Sequence, residues 1–119
     1  MPVSVVAGNW KMNTTPAEAA RLASDVRDGA VSLSGVEVVL CPPFVSLATV
    51  RDALRGSAVK VGAQNMHYET AGAFSGEIAP PMLLGLCDYV ILGHSERRQM
   101  FGETDGLINR KVRSAFHHG

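Results

Sequence analysis

The sequence predicts an α/β chain built on a parallel sheet of four βα units, and three observations carry that expectation. Four short runs rich in β-branched residues, Val3–Ala7, Val36–Cys41, Val59–Ala63 and Tyr89–Leu92, recur along 119 residues, close to the roughly 30-residue repeat of a βαβ unit. Helical stretches separate the runs, and strands alternating with helices imply parallel pairing with right-handed crossovers. The runs VEVVL and YVIL are nearly continuous in apolar character, which suits strands covered on both faces.

Each helix has its own signals. Thr15-Pro16-Ala17-Glu18 supplies an N-cap, a proline at the first helical position and a glutamate at the third. The helix it opens runs through AEAARLASDVRD, with Gly29 as its expected C-cap. Ser46–Leu54 reads as a second helix closing near Gly56, and Pro81–Leu86 as a shorter third. Thr104 or Asp105 caps a fourth, LINRKVRSAFHH, with Gly119 in the C′ position. Between the third strand and the third helix, Gln64–Ala79 is a long polar loop with Gly72 and Gly76 and no regular period. Loops of that length in compact domains usually serve a function.

Composition narrows the function classes. Hydrophobic residues make up 46% and charged residues 18%, the profile of a globular α/β domain with a core of its own. Eleven basic residues balance eleven acidic ones, so no electrostatic argument favours nucleic acid or an anionic membrane. No apolar run approaches the roughly 20 residues that span a bilayer. The N-terminus, MPVSVVAGNWKMN, has no basic region ahead of its apolar stretch and does not read as a signal peptide. Cys41 and Cys87 lack framework spacing and read as reduced, packed thiols of a cytoplasmic protein. There is no GxGxxG and no GxxxxGK[ST]. His94-x-Glu96 matches the H-x-E of zinc deaminases but has no P-C-x-x-C to follow it. His67, His117 and His118 show no ligand spacing. Neither a cofactor nor a metal is expected.

In α/β folds ligands sit beyond the carboxyl ends of the strands. The first strand delivers Gly8-Asn9-Trp10-Lys11 to that end, the third Gln64-Asn65, and the fourth Gly93-His94-Ser95-Glu96-Arg97-Arg98. A lysine suits an anionic substrate as a compact charge. A histidine at the start of a helical turn can be held neutral by the positive end of the helix and can donate to a substrate carbonyl. Taken singly, these residues have plainer readings: Lys11 as a solvated lysine, His94 as a structural histidine, Asn9 as a turn residue. Glu96, Arg97 and Arg98 would be an exposed ion-pair cluster, and Trp10 and Met82–Leu86 packing.

Read as whole strings, GNWKMN (Gly8–Asn13), GAQNM (Gly62–Met66), GAFSGEI (Gly72–Ile78) and YVILGHSERRQMFGE (Tyr89–Glu103) resemble the corresponding segments of the triosephosphate isomerase family, in the family's order and at its spacing. The resemblance spans the chain but only about half of the family's roughly 250-residue (β/α)8 barrel. It implies a half-barrel, residues 1–119 being the N-terminal half of one TIM-barrel domain whose remaining βα units are absent. It also implies a glycolytic, homodimeric enzyme that interconverts dihydroxyacetone phosphate and glyceraldehyde 3-phosphate through an enediolate. Lys11 would stabilise substrate phosphate and enediolate charge, and neutral His94 would polarise the carbonyl. Asn9 would bond near the substrate oxygens, Glu96 would hold Lys11, and Ser95 would bond the resting catalytic base. Gln64, Asn65, Phe74, Ser75, Gly76 and Glu77 would belong to the loop that enters a second subunit; Ser75 stands where the family usually has threonine. The family's glutamate base, its closing lid and its last phosphate loops have no counterpart here, which implies that these residues alone are inactive. The alternative is a non-catalytic half-barrel that folds or self-assembles.

Overall fold

A computed structural model describes residues 2–119. Strands β1 (Ser4–Asn9), β2 (Val36–Cys41), β3 (Lys60–Ala63) and β4 (Tyr89–Val90) form one parallel sheet in the order β1-β2-β3-β4. The helices are α1 (Pro16–Ala30), α2 (Leu47–Ala53), α3 (Pro80–Leu83), α4 (Ser95–Phe101) and α5 (Asp105–His118), with a single 3-10 turn at Phe44–Ser46. The alternation and the parallel pairing are as the sequence predicts. Gln64–Ala79 has no regular element.

Local chemistry accounts for most boundaries. Thr15 accepts from the Glu18 amide while the Glu18 carboxylate accepts from the Thr15 amide, the reciprocal cap that starts α1. Thr104 caps α5 through the Leu107 amide. Gly29 does not end α1: the helix runs one residue past it, to Ala30, and the residue after the helix, Val31, is still right-handed. Without a left-handed backbone there is no role for glycine at that position. The third helix is shorter than the expected Pro81–Leu86, because Leu84 is already extended and Gly85 is left-handed. The fourth strand holds only two paired residues, and β1 continues two residues beyond the predicted Ala7 because Gly8 and Asn9 keep pairing with Leu40 and Cys41.

The core sits where α1 and α2 cover the middle of the sheet. Ala19 and Ala23 of α1 meet Leu47, Val50 and Leu54 near Leu40, Val61 and Ala63, and Met66 and Leu83 close one end. Burying each such aliphatic side chain is worth about 1.5–3 kcal/mol. Gly62 lets β3 lie this close to β2, since a Cβ there would sit 2.7 Å from the Cys41 sulfur. The expectation of strands covered on both faces holds for β3 and the second half of β2 but not for β1, where Val6 is 60% exposed and Val5 is exposed as well, nor for β4, where Tyr89 is exposed. Two neighbours cover a strand from the sides and a helix covers one face, and among the described residues β1 pairs only with β2.

Candidate active site

The carboxyl ends of β1, β3 and β4 bring the predicted residues to one end of the sheet. Asn9 is the last residue of β1 rather than a turn residue, and its Oδ1 accepts from the Lys11 amide at 3.0 Å. Lys11 itself is left-handed, with φ 56°. That conformation costs a non-glycine residue about 1–2 kcal/mol, and hydrogen bonds of order 1 kcal/mol each offset it. Besides the bond from its amide, its carbonyl accepts from Gln64 Nε2 at 2.9 Å.

The bend directs the Lys11 ammonium to Glu96, 2.6 Å away. Hydrogen bonding by that ammonium holds the Glu96 carboxyl below the usual carboxylate range. Glu96 thus stays ionised beside Lys11 and is poorly suited to take a proton from carbon.

His94 caps α4, a helix the sequence showed only as a turn. Its Nδ1 accepts from the Glu96 amide at 3.1 Å. An acceptor Nδ1 carries no proton, so a ring with one hydrogen carries it on Nε2, free to donate. Gly93 makes this turn possible. Its φ is 69°, and a Cβ there would be 3.0 Å from Ile108. The arrangement therefore gathers an ammonium, an imidazole and the Asn9 side-chain amide at one end of the sheet, its mouth, a set suited to an anionic carbonyl compound as its oxygen gains charge. Ser95 is exposed at the first position of α4.

The next residues of the same segment belong to a network that sequence reading missed. Arg97 is not an exposed ion-pair residue: its Nε donates to Glu103 at 2.7 Å. Glu103 also accepts from Lys111 at 2.5 Å, and the Glu103 and Lys111 side chains are 2% and 3% exposed. Burial pushes the Glu103 carboxyl up, but hydrogen bonds from Lys111 and Arg97 outweigh it and leave it lowered. Lys111 in turn donates to Asn65 at 3.0 Å. The signal available beforehand was a lysine on the apolar stripe of the last helix, between Ile108 and Ala115. Arg98 does form an exposed pair, with Asp105.

The loop residues divide. Gln64 Nε2 donates to two carbonyls and Asn65 Oδ1 accepts from Lys111, all within the chain. Met66, an apolar residue of the same loop, is in the core. Phe74, Ser75, Gly76 and Glu77 are exposed at the loop's outer end, where Phe74 stacks on His67, itself stacked on Tyr68. Both cysteines are free, and burial pushes the Cys41 thiol up to about 11. Among the described residues no group of three or more His, Cys, Asp or Glu could hold a metal ion, and no helix is long and apolar enough to cross a membrane.

Comparison with known proteins adds an independent finding. The family model described as triosephosphate isomerase matches residues 4–119. The chain is 55% identical over 115 residues to the triosephosphate isomerase of Carboxydothermus hydrogenoformans, covering 96% of this chain and 46% of that protein. It is 50% identical over 115 residues to that of Dehalococcoides mccartyi, covering 97% and 46%. Against the enzyme of Chloroflexus aurantiacus it is 50% identical over 120 residues, covering 100% and 48%. The chain spans about half the length of the curated relatives it matches.

Proposed function

The chain belongs to the triosephosphate isomerase family, its four parallel βα units being half of that (β/α)8 barrel, and on this premise we propose that it supplies the electrophilic half of an active site that interconverts dihydroxyacetone phosphate and glyceraldehyde 3-phosphate. Residues 1–119 are then the N-terminal half of a single barrel domain. The observation that carries the reading is the convergence of Lys11, Glu96 and His94, from the ends of two different strands, on one mouth. In the proposed mechanism Lys11 offsets the charge of the substrate phosphate and of the developing enediolate. His94, through Nε2–H, polarises the carbonyl and moves a proton between its oxygens. Asn9 donates to a substrate oxygen, Glu96 keeps Lys11 extended, and Ser95 bonds the resting base. No cofactor enters, and neither a nucleic acid nor a membrane is a partner. The outer part of the long loop, Phe74–Glu77, is the segment that would enter a second subunit of a cytoplasmic homodimer.

The reaction also needs a base for the proton next to the carbonyl. Glu96 is the carboxylate beside Lys11 and His94, and its pairing with Lys11 makes it a poor one. A general base contributes roughly 10²–10⁴ in rate, so the 119 residues alone are expected to show no measurable turnover. The test is a coupled assay that follows conversion of glyceraldehyde 3-phosphate, with protein from a host lacking its own isomerase. The chain alone should be silent, and co-refolding with the four further βα units of a relative should restore turnover. Robust activity of the chain alone would overturn the assignment of roles, and Glu96 would be the first residue to replace. The exposed valines of β1 favour a second reading, a non-catalytic half-barrel that self-assembles; continued silence after co-refolding would favour it.

A further inference from the structure

We infer that Gln64 is a positioning residue for Lys11, fixing the left-handed backbone that aims the ammonium into the mouth. This rests on the reading of Lys11 as the charge-stabilising group. The Gln64 amide nitrogen has two hydrogens, and both are used: one goes to the Lys11 carbonyl and one to the Cys41 carbonyl, each at 2.9 Å. The Cys41 carbonyl also accepts from the Trp10 amide at 3.0 Å. A single side chain at the exit of β3 therefore ties the segment leaving β1 to the end of β2. The two peptide planes that flank Lys11 are held from opposite sides, the first by Asn9 Oδ1 on the Lys11 amide and the second by Gln64 on the Lys11 carbonyl. A lysine at φ 56° relaxes toward the right-handed region once one of these restraints is removed. Such a relaxation swings the side chain away from Glu96. Among uncharged side chains of this length, only the amide gives two donors to two carbonyls. A carboxylate would face both carbonyl oxygens with lone pairs, and an apolar side chain of the same length would leave the Lys11 carbonyl unpaired and the Cys41 carbonyl with the Trp10 amide alone.

The experiment uses the barrel completed with the four further βα units of a relative and compares Gln64→Met, which keeps length and shape, with Gln64→Glu. Three readouts are taken: the Lys11 amide–Hα coupling and carbon shifts, which report its φ; kcat and KM; and the thermal midpoint. The Lys11 signature should leave the left-handed range in Gln64→Met, with kcat down about 10- to 100-fold, the scale of a catalytic group misplaced by about 1 Å. Gln64→Glu should regain kcat relative to Gln64→Met as the pH falls, because a protonated carboxyl returns one donor. A purely structural role would lower the thermal midpoint and leave the Lys11 signature and kcat in place, and that result overturns the inference. If the completed wild-type barrel shows no isomerase activity while Gln64→Met still moves the Lys11 signature, the functional reading falls and the positioning role stands. If the signature stays put, the positioning role falls whatever the activity.

Discussion

At the scale of single residues, the site depends on where one ammonium and one imidazole proton point. Lys11→Met in the completed enzyme should lower kcat by roughly 10²–10³ or more, the usual loss when a stabiliser of developing charge is removed. Steady-state kinetics within threefold of wild type would remove Lys11 from the mechanism. For His94 the expectation is a tautomer: ¹⁵N NMR should show Nδ1 as the unprotonated nitrogen and Nε2 as the protonated one, because Nδ1 accepts from the Glu96 amide. A protonated Nδ1 in the neutral ring would contradict that hydrogen bond. The meeting of Lys11, His94, Asn9 and Glu96 at one end of the sheet was legible in the sequence, since each follows an apolar run and parallel strands deliver such residues to the same end. Gln64 was legible as a position but not as a role. Its two acceptors are backbone carbonyls, one just beyond β1 and one at the end of β2, and backbone carbonyls leave no mark on sequence.

At the scale of elements, Glu103 joins α4, which His94 caps, to α5 and through Lys111 to the start of the long loop. Lys111→Met should cost about 3–5 kcal/mol in urea unfolding of the completed barrel, because it leaves a buried carboxylate short of a partner. The same pair sets an acid limit. The Glu103 carboxyl lies below its ordinary value of 4.5 in the folded chain, so the unfolded chain binds its proton more tightly. Its stabilisation is full above 4.5 and is lost as the pH falls through the lowered folded value. Unfolding midpoints followed from pH 7 down to 3 should therefore fall toward acid, and fall less in Glu103→Gln. The α1 cap and the α5 cap were legible because their residues act within one turn. The end of α1 was not, because a glycine stops a helix only if the backbone turns left-handed there, and at Gly29 it does not. The helix SERRQMF was hidden by its brevity and by having no buried residue to give it a period.

At the scale of the whole molecule, the sheet is an open arc. The radius of gyration is 14.7 Å, against about 13.5 Å for a compact domain of this length. The exposed valines of β1 and the groove of about 530 Å³ beside β4, lined by Leu84, Tyr89, Leu92 and Phe116, leave apolar surface at both edges. Such edges pair with other chains, so the isolated chain should associate at micromolar concentration and bind ANS. A sharp, monodisperse monomer in sedimentation would argue against this. Parallel order was legible from the alternation of runs and helices, whereas the openness depends on what lies beside the outer strands, which no run encodes. The one-sided pairing of β1 with β2, register Ser4↔Val36 through Asn9↔Cys41, also sets a rhythm in time. Along a strand, successive amides point to opposite sides, so in β1 every second N–H meets a carbonyl of β2 and the one between faces solvent. In heavy water the strand should trade its protons in two alternating classes, fast and slow, while in β2 the stretch Val39–Leu40, paired on its other side with β3, keeps its amides longer. Closing the barrel would merge the two classes into one, making the deuteration pattern of six residues a clock for assembly.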